Sequence, residues 1–463
     1  MKLFNAERVL KKEPVAGPLP SGKELFRDTI NMAWPSVVES FLVALVGFVD
    51  TIMVSSLGSY AIAAVGLTTQ PKFIGLCLFM SMSTAISALV ARRRGEENRE
   101  SAVRIVRMCL CVALALTVIV TILALVFADP ILRFAGSKDD THDAAVEYFR
   151  IIMGGIIFTT ITLTINAAQR GAGNTKLSMR TNVVSNLVNV LFNYLLIGGN
   201  LGFPALGIRG AAIATVIGSV FGCGMSIFSL FSKQSFVYIR GIQGYIASKL
   251  DIKSLLNVGS SAFTEQIFFR IGFLLFAITV ANLGTTAYAA HQIGMNMMSL
   301  SFSFADGFSV ASVALIGRSL GQKRRDLAKL YANMCQRMGL VCAFLMSLVF
   351  LFFGRGLFSL FSSDPAILDM GVMIMRILCF VIYLQITQVI FFGCLRGAGD
   401  TKFTAFASML SVAIIRPGVS WLLCNPLGLG LLGVWLGLVG DQLTRFSLGF
   451  FRIKQGNWLK IKL

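Results

Sequence analysis

The chain has 463 residues, of which 56% are apolar or aromatic and only 14% charged, against roughly 25% charged in ordinary soluble domains. With a mean hydropathy of +0.76, too little polar sequence remains to cover a water-soluble globule, and the composition points to an integral membrane protein throughout. The net charge of +19 would suggest nucleic acid in a soluble protein. Here the basic residues cluster in short loops between long apolar runs, where they set orientation in the bilayer, so no nucleic-acid partner is expected. Nine Cys are scattered without a CxxC pair or metal spacing, which indicates neither a disulfide framework nor zinc.

In chain order, Lys2, Arg8, Lys11 and Lys12 precede any apolar stretch, which is not the pattern of a cleavable signal peptide. Ser21 and Glu24 form a capping-box pattern ahead of a mixed apolar and charged segment, read as a short interfacial helix. Twelve runs are then long enough to cross the hydrocarbon, each needing about 20 residues. They lie near 30–54, 61–91, 108–128, 146–169, 177–197, 207–232, 254–281, 286–317, 331–354, 367–395, 403–424 and 428–451. The expected fold is therefore an all-α integral membrane protein with twelve transmembrane helices, because a barrel would show short alternating strands. With both termini cytoplasmic, the inner segments hold 30 Lys or Arg and the outer ones only 4, Arg133, Lys138, Arg209 and Arg355. The positive-inside rule selects that orientation.

One offset, 226 residues, recurs in three separated places. VSSLGSYAIAAVGL from Val54 matches VANLGTTAYAAHQI from Val280, SALVARRRG from Ser87 matches VALIGRSLG from Val313, and QRGAGNTK from Gln169 matches LRGAGDTK from Leu395. Apolar bias can give local matches but not a shared register over such a distance, so the chain is read as a duplicated six-helix unit. Six is even, which makes the halves parallel repeats. The expected organisation is a tail and interfacial helix over 1–29, an N-lobe over 30–232, a cytoplasmic linker over 233–253, a C-lobe over 254–451 and a tail over 452–463. Two such bundles flanking a cleft can rock and expose a midplane site to alternate sides, which describes a carrier. A twelve-helix scaffold or receptor is the bland alternative.

An ionised side chain at the centre of a transmembrane helix costs about 2.5–3.5 kcal/mol on insertion scales and marks function by default. Five acids qualify, Glu39, Asp50, Glu265, Asp306 and Asp441, with Lys72, Arg270, Arg376, Arg416 and Arg445 as basic counterparts. Asp441 and Arg445, at i and i+4, suit a structural ion pair. Lys72, directly after Pro71, has no partner readable from the sequence. Glu39 and Asp50 are 11 positions apart, which returns them to within about 20° of one face, about 16 Å apart along the axis. Glu39 also matches Glu265 at the repeat offset. On the fifth run Asn182, Asn186, Asn189 and Asn193 fall on a single stripe. Interhelical hydrogen bonds worth about 0.6–2 kcal/mol would account for the first two. Pro35 in the inner third of the first run permits a kink. Glu39, Asp50, Gln292 and Asp306 are the expected lining of a substrate cleft.

FVDTIMVSSLGSYAIAAVGL at the first run and its loop, the paired RGAGNTK and RGAGDTK loops, and AAHQI after the seventh run together resemble the MATE family of multidrug and toxic compound extrusion transporters, over essentially the whole chain. The resemblance implies two six-helix lobes forming a V and cation-driven antiport of organic cations or other amphipathic compounds. It implies that Asp50 is the proton or sodium site of the N-lobe, that Pro35 is the first-helix proline linked to coupling in the DinF-like branch, and that Asn189 and Asn193 are the paired polar positions of the fifth helix. Asn193 departs from the DinF-like aspartate there and follows NorM-like members. Thr215 is the corresponding sixth-helix threonine, and Glu265 matches the seventh-helix glutamate of NorM-like members. The tenth helix offers Gln385 and Gln388 where NorM-like members carry an aspartate, which puts a C-lobe sodium site in doubt. QPKF at Gln70 and Arg416 look closer to DinF-like sequences.

The resulting expectation is a cation-coupled antiporter of the plasma membrane, a monomer in the lipid bilayer, that exports small organic cations, with no cofactor beyond the coupling ion, H⁺ or Na⁺. Asp50 exchanges that ion for substrate, and Glu265 is the second candidate. A flippase for lipid-linked oligosaccharide is the rival, kept open by Arg270, Arg376 and Arg416. A membrane enzyme fits poorly, since the chain has only His142 and His291, no HxxxxD run and no membrane-proximal DxD. Asp139, Asp140, His142 and Asp143 form an outer-loop acidic cluster that reads as a solvated loop rather than a divalent-ion site.

Overall fold

The structure, a computed structural model, describes residues 9–10, 15–242, 244, 246–362 and 364–461. Among them no strand occurs. The helices are α1 (Gly22–Ser55), α2 (Ser59–Gly95), α3 (Arg99–Val126, extended by Ala128–Phe134), α4 in two arms (Asp139–Gly154 and Ile156–Gly171), α5 (Thr175–Gly198) and α6 (Gly207–Leu230). They continue with α7 (Lys249–Ala281), α8 (Thr285–Gly321), α9 (Arg325–Ser359), α10 (Pro365–Ala398), α11 (Thr401–Cys424 in three stretches) and α12 (Gly430–Gln455). Ten of these are long and apolar enough to span a membrane, and the bent pair of α4 makes an eleventh. The twelfth, α12, has 26 residues, long enough at 1.5 Å per residue, but Asp441, Gln442 and Arg445 dilute its apolar character. Those three side chains are buried in protein.

The expected interfacial helix does not stand apart. Ser21 and Glu24 close the capping box in both directions, with the Ser21 N–H donating to Glu24 Oε2 (2.8 Å) and the Glu24 N–H to Ser21 Oγ (3.2 Å). They start α1 itself, which runs for 34 residues through Pro35.

Two other spans depart from regularity. α4 bends by 46° at Gly155, where a Cβ would lie 2.5 Å from Val216 on α6, so the glycine permits a close approach as well as the break. α11 opens into π-helical turns over Met409–Ile415, just before Arg416 and Pro417. Proline has no N–H to return to the carbonyl four residues back, and a wider turn absorbs the mismatch.

The chain divides into two compact units, Val38–Leu255 and Met1–Val37 with Leu256–Leu463. Each has its own apolar core, one around Phe79, Phe149 and Ile152, the other around Ile374, Leu378 and Trp435. Phe134, Phe228 and Phe352 are largely exposed, as lipid-facing side chains must be. Within the first unit, basic residues at the end of α2 and on α3 reach the chain that follows α6. Arg99 donates to the Tyr238 carbonyl, Arg107 to those of Ile239 and Ile242 (2.7 Å each), and Arg93 to Asp251 (3.0 Å), so the segment after α6 is held by guanidinium groups.

The repeated loop shows why its residues recur. The first Gly of each RGAG, Gly171 or Gly397, lies where a Cβ would be 2.3 Å from the Ser87 carbonyl oxygen on α2, or 2.8 Å from the Val313 backbone on α8. The second, Gly173 or Gly399, takes φ of +78° or +89°. Each ends its helix with the next N–H returning to the carbonyl five residues back, Asn174 to Gln169 and Asp400 to Leu395, both 2.8 Å. This is a Schellman cap, for which glycine alone is unstrained.

Candidate functional site

Asp50 sits in the last two turns of α1, half-buried. Asn193 on α5 donates to its Oδ1 at 2.7 Å. One turn earlier Asn189 faces the same carboxylate. With its nitrogen toward Asp50 it donates to both oxygens, at 3.0 and 3.1 Å, while its own oxygen accepts from the backbone and hydroxyl of Thr215 on α6, each at 3.2 Å. That orientation satisfies both ends of the Asn189 amide. The i, i+4 spacing of the two asparagines on one helical face delivers both amides to one carboxylate. The structure therefore brings Asp50, Asn189, Asn193 and Thr215 together. Two further groups join them. Lys72 of α2 is electrostatically coupled to Asp50, which supplies the partner that the sequence did not reveal, and the buried Tyr148 phenol reaches Thr215. Nothing in the periodicity around Tyr148 marks it apart from an ordinary core aromatic.

Glu39 and Glu265 lie elsewhere, in clusters that are copies of each other. Glu39 is met by Arg170 at 3.5 Å, by the Ser178 hydroxyl at 3.3 Å and by the Asn182 amide. Glu265 is met by Arg396 at 2.6 Å, by Thr404 at 3.3 Å and by Ser408 at 3.0 Å. Arg170 and Arg396, Ser178 and Thr404, and Asn182 and Ser408 are each 226 residues apart. The arginine at the end of the fourth helix of each half thus binds a glutamate on the first helix, and side chains near the start of the fifth bind the same glutamate. Glu39 belongs to this tie rather than to the Asp50 cluster, and Glu265 already holds a guanidinium on one oxygen.

Of the other expected residues, Gln292 is exposed and Asp306 half-buried, both on α8 of the other compact unit. Pro35 is buried inside α1, two residues before the boundary between the compact units. Gln385 accepts from Ser301 (2.8 Å) and Gln388 donates to Gln442 (3.5 Å), so both amides of α10 are used within the protein. The proposed trio for a lipid pyrophosphate does not share one environment, because Arg416 is buried and Arg376 exposed. Asp441 binds Arg445 as its spacing suggests, at 2.9 and 2.8 Å, and also binds Arg416 (3.0 Å from Nε). In the acidic cluster, Asp139 makes an ordinary surface pair with Arg133 (3.6 Å). Among the described residues no group of three His, Cys, Asp or Glu side chains could hold a metal ion.

The two halves, each carrying the same Glu–Arg tie, both match one family model, MatE, over residues 35–195 and 262–422. The chain belongs to the MatE family. It is a multi-pass membrane protein of a transporter family, similar over 94% of both chains to the probable multidrug resistance protein NorM of Thermotoga maritima, at 29% identity. It is also similar to the uncharacterized transporter YisQ of Bacillus subtilis, at 23% identity over 98% of this chain and 99% of that one. Solved MATE structures share the fold. A MATE structure in the bent conformation aligns with a TM-score of 0.85 at 22% identity, covering 96% of this chain and 99% of the other. A MOP superfamily transporter from Pyrococcus furiosus aligns with a TM-score of 0.86 at 22% identity, covering 96% of this chain and 100% of the other.

Proposed function

We propose that this chain exports organic cations or cationic amphiphiles across the plasma membrane in exchange for H⁺ or Na⁺, with Asp50 as the exchanging group. The observation that carries the reading is a lone carboxylate held by two amides, Asn189 and Asn193, on a transmembrane helix. A side-chain amide can present either its N–H₂ or its oxygen. The N–H₂ groups stabilise ionised Asp50, and a turned amide oxygen accepts a hydrogen bond from the O–H of the neutral acid. The same oxygens, with the Thr215 hydroxyl, are hard donors of the kind that suit a small metal cation. Lys72 supplies a tethered positive charge for the interval in which neither ion nor substrate is bound.

The names of the NorM relatives support a multidrug substrate range, and the basic inner segments support cytoplasmic termini. Each proton entering down 100 mV supplies about 2.3 kcal/mol, enough for a modest substrate gradient. Pro35, beside the boundary of the units, is the proposed hinge. Efflux of a cationic dye from proteoliposomes, with ΔpH and ΔNa⁺ imposed separately, tests the reading. One gradient is expected to drive efflux in the wild type and to fail in Asp50→Asn. Equal gradient-driven efflux in that variant overturns the assignment.

A further inference from the structure

A second polar cluster lies in the core of the C-terminal unit and takes no part in the exchange at Asp50. Asp441 binds Arg416 and Arg445 together, and all three are buried. Two guanidinium groups share one carboxylate, which leaves one positive charge. Arginine cannot shed it by releasing a proton, and an uncompensated buried ion costs several kcal/mol. Aromatic faces offset part of that cost, with the Arg416 guanidinium 4.6 Å from the Phe273 ring and 5.4 Å from that of Phe276. The carboxylate that faces Arg416 is that of Asp441, which Arg445 shares.

The hydrogen-bond inventory shows the same imbalance. Arg416 Nη1, Trp435 Nε1 and His291 Nδ1 are buried and find no hydrogen-bond partner among the described residues. The three are neighbours. The Phe276 ring packs on His291 (5.2 Å between centroids) and on Arg416, and His291 packs on Trp435 (5.7 Å). Two of the three atoms can only donate, and a neutral imidazole can present its N–H as well. Unused buried donors beside a surplus positive charge are complementary to a negative guest.

We propose that this cluster binds a compact monovalent anion, either an inorganic halide or the carboxylate of a transported molecule, with Arg416 as its principal ligand and Trp435 and His291 as donors beside it. The site is independent of the role given to Asp50. The test uses the full chain, first in detergent, with thermal stability titrated by chloride against gluconate at fixed ionic strength. Stabilisation should saturate, weaken about five-fold in Trp435→Phe, the scale of one lost hydrogen bond, and vanish in Arg416→Gln. If Arg416→Gln does not fold, Trp435→Phe still decides. In proteoliposomes a dye is then offered as its free carboxylate and as its methyl ester. A Trp435→Phe defect confined to the acid assigns the anion to the cargo, and saturable chloride stabilisation with equal efflux of acid and ester assigns it to a resident halide. No saturable anion response in the first arm, with no selective defect in the second, overturns the proposal, whatever Asp50→Asn shows.

Discussion

The two halves of this chain agree where they tie helices together and disagree where they hold charge. In the N-terminal half Asp50 stands opposite Asn189, Thr215 and Lys72. In the C-terminal half the positions 226 residues on are Phe276, Ile415, Asp441 and Met298, while Val190 and Ser219 are answered by Arg416 and Arg445. The acid has moved from the first helix of the repeat to the sixth and has gained two arginines. One half therefore keeps a carboxylate that amides stabilise without neutralising, the arrangement proposed above for cation exchange. The other locks its carboxylate between guanidinium groups, where removing a partner exposes a buried charge. The lesson is that duplication preserves backbone contacts more strictly than the electrostatics of a site.

The largest test of that contrast is Asp50→Asn. It should reduce gradient-driven efflux at least about tenfold, the effect of losing the proposed exchanging group, with an unchanged melting temperature in detergent. Asp441→Asn should do the opposite, destabilising the protein by about 3–5 kcal/mol as two buried arginines lose their carboxylate. Thermal unfolding reads the effect, and adding Arg416→Leu should recover part of it. A mild phenotype for Asp441→Asn would mean that the triad is not the lock described here.

The shared features allow smaller tests. Gly171→Ala and Gly397→Ala should each cost about 1–3 kcal/mol, the usual range for overpacking. Gly171→Ala should cost more, since its Cβ would meet a carbonyl oxygen at 2.3 Å rather than backbone at 2.8 Å. Arg396→Gln should cost more than Arg170→Gln, because Glu265 is bound at 2.6 Å with 3% of its side chain exposed and Glu39 at 3.5 Å with 12% exposed. Exposed pairs contribute about 0–1 kcal/mol. Equal melting temperatures for the two variants would show that the ties are equivalent despite this geometry. Lys72→Gln should have the smallest effect, a modest tightening of cation binding to Asp50 once the tethered charge is gone, read as a lower half-saturating dye concentration.

The spans, the repeat and the key residues Asp50, Asn189, Asn193 and Thr215 were legible in the sequence, the last through a family resemblance. The capping box at Ser21 and the pairing of Asp441 with Arg445 were legible too, because both are set by spacing within a single helix. Lys72 and Tyr148 were not, since they reach Asp50 from α2 and α4 and no local period signals a neighbour on another helix. The bend at Gly155 and the π turns before Pro417 hid inside uniformly apolar runs. The tie of Glu39 to Arg170 is hidden for a related reason. The face that Glu39 shares with Asp50 is real helical geometry, but the arginine that claims Glu39 lies more than a hundred residues away.

Composition and order along the chain determined that this protein lives in a bilayer, how many times it can cross, and that it is built twice. These follow from the transfer cost of charge and the length of a helix, which act residue by residue. Which carboxylate stays available and which is locked was decided only when helices packed, because an ionised group takes its character from the donors and charges within a few ångströms, and tertiary structure alone chooses those neighbours.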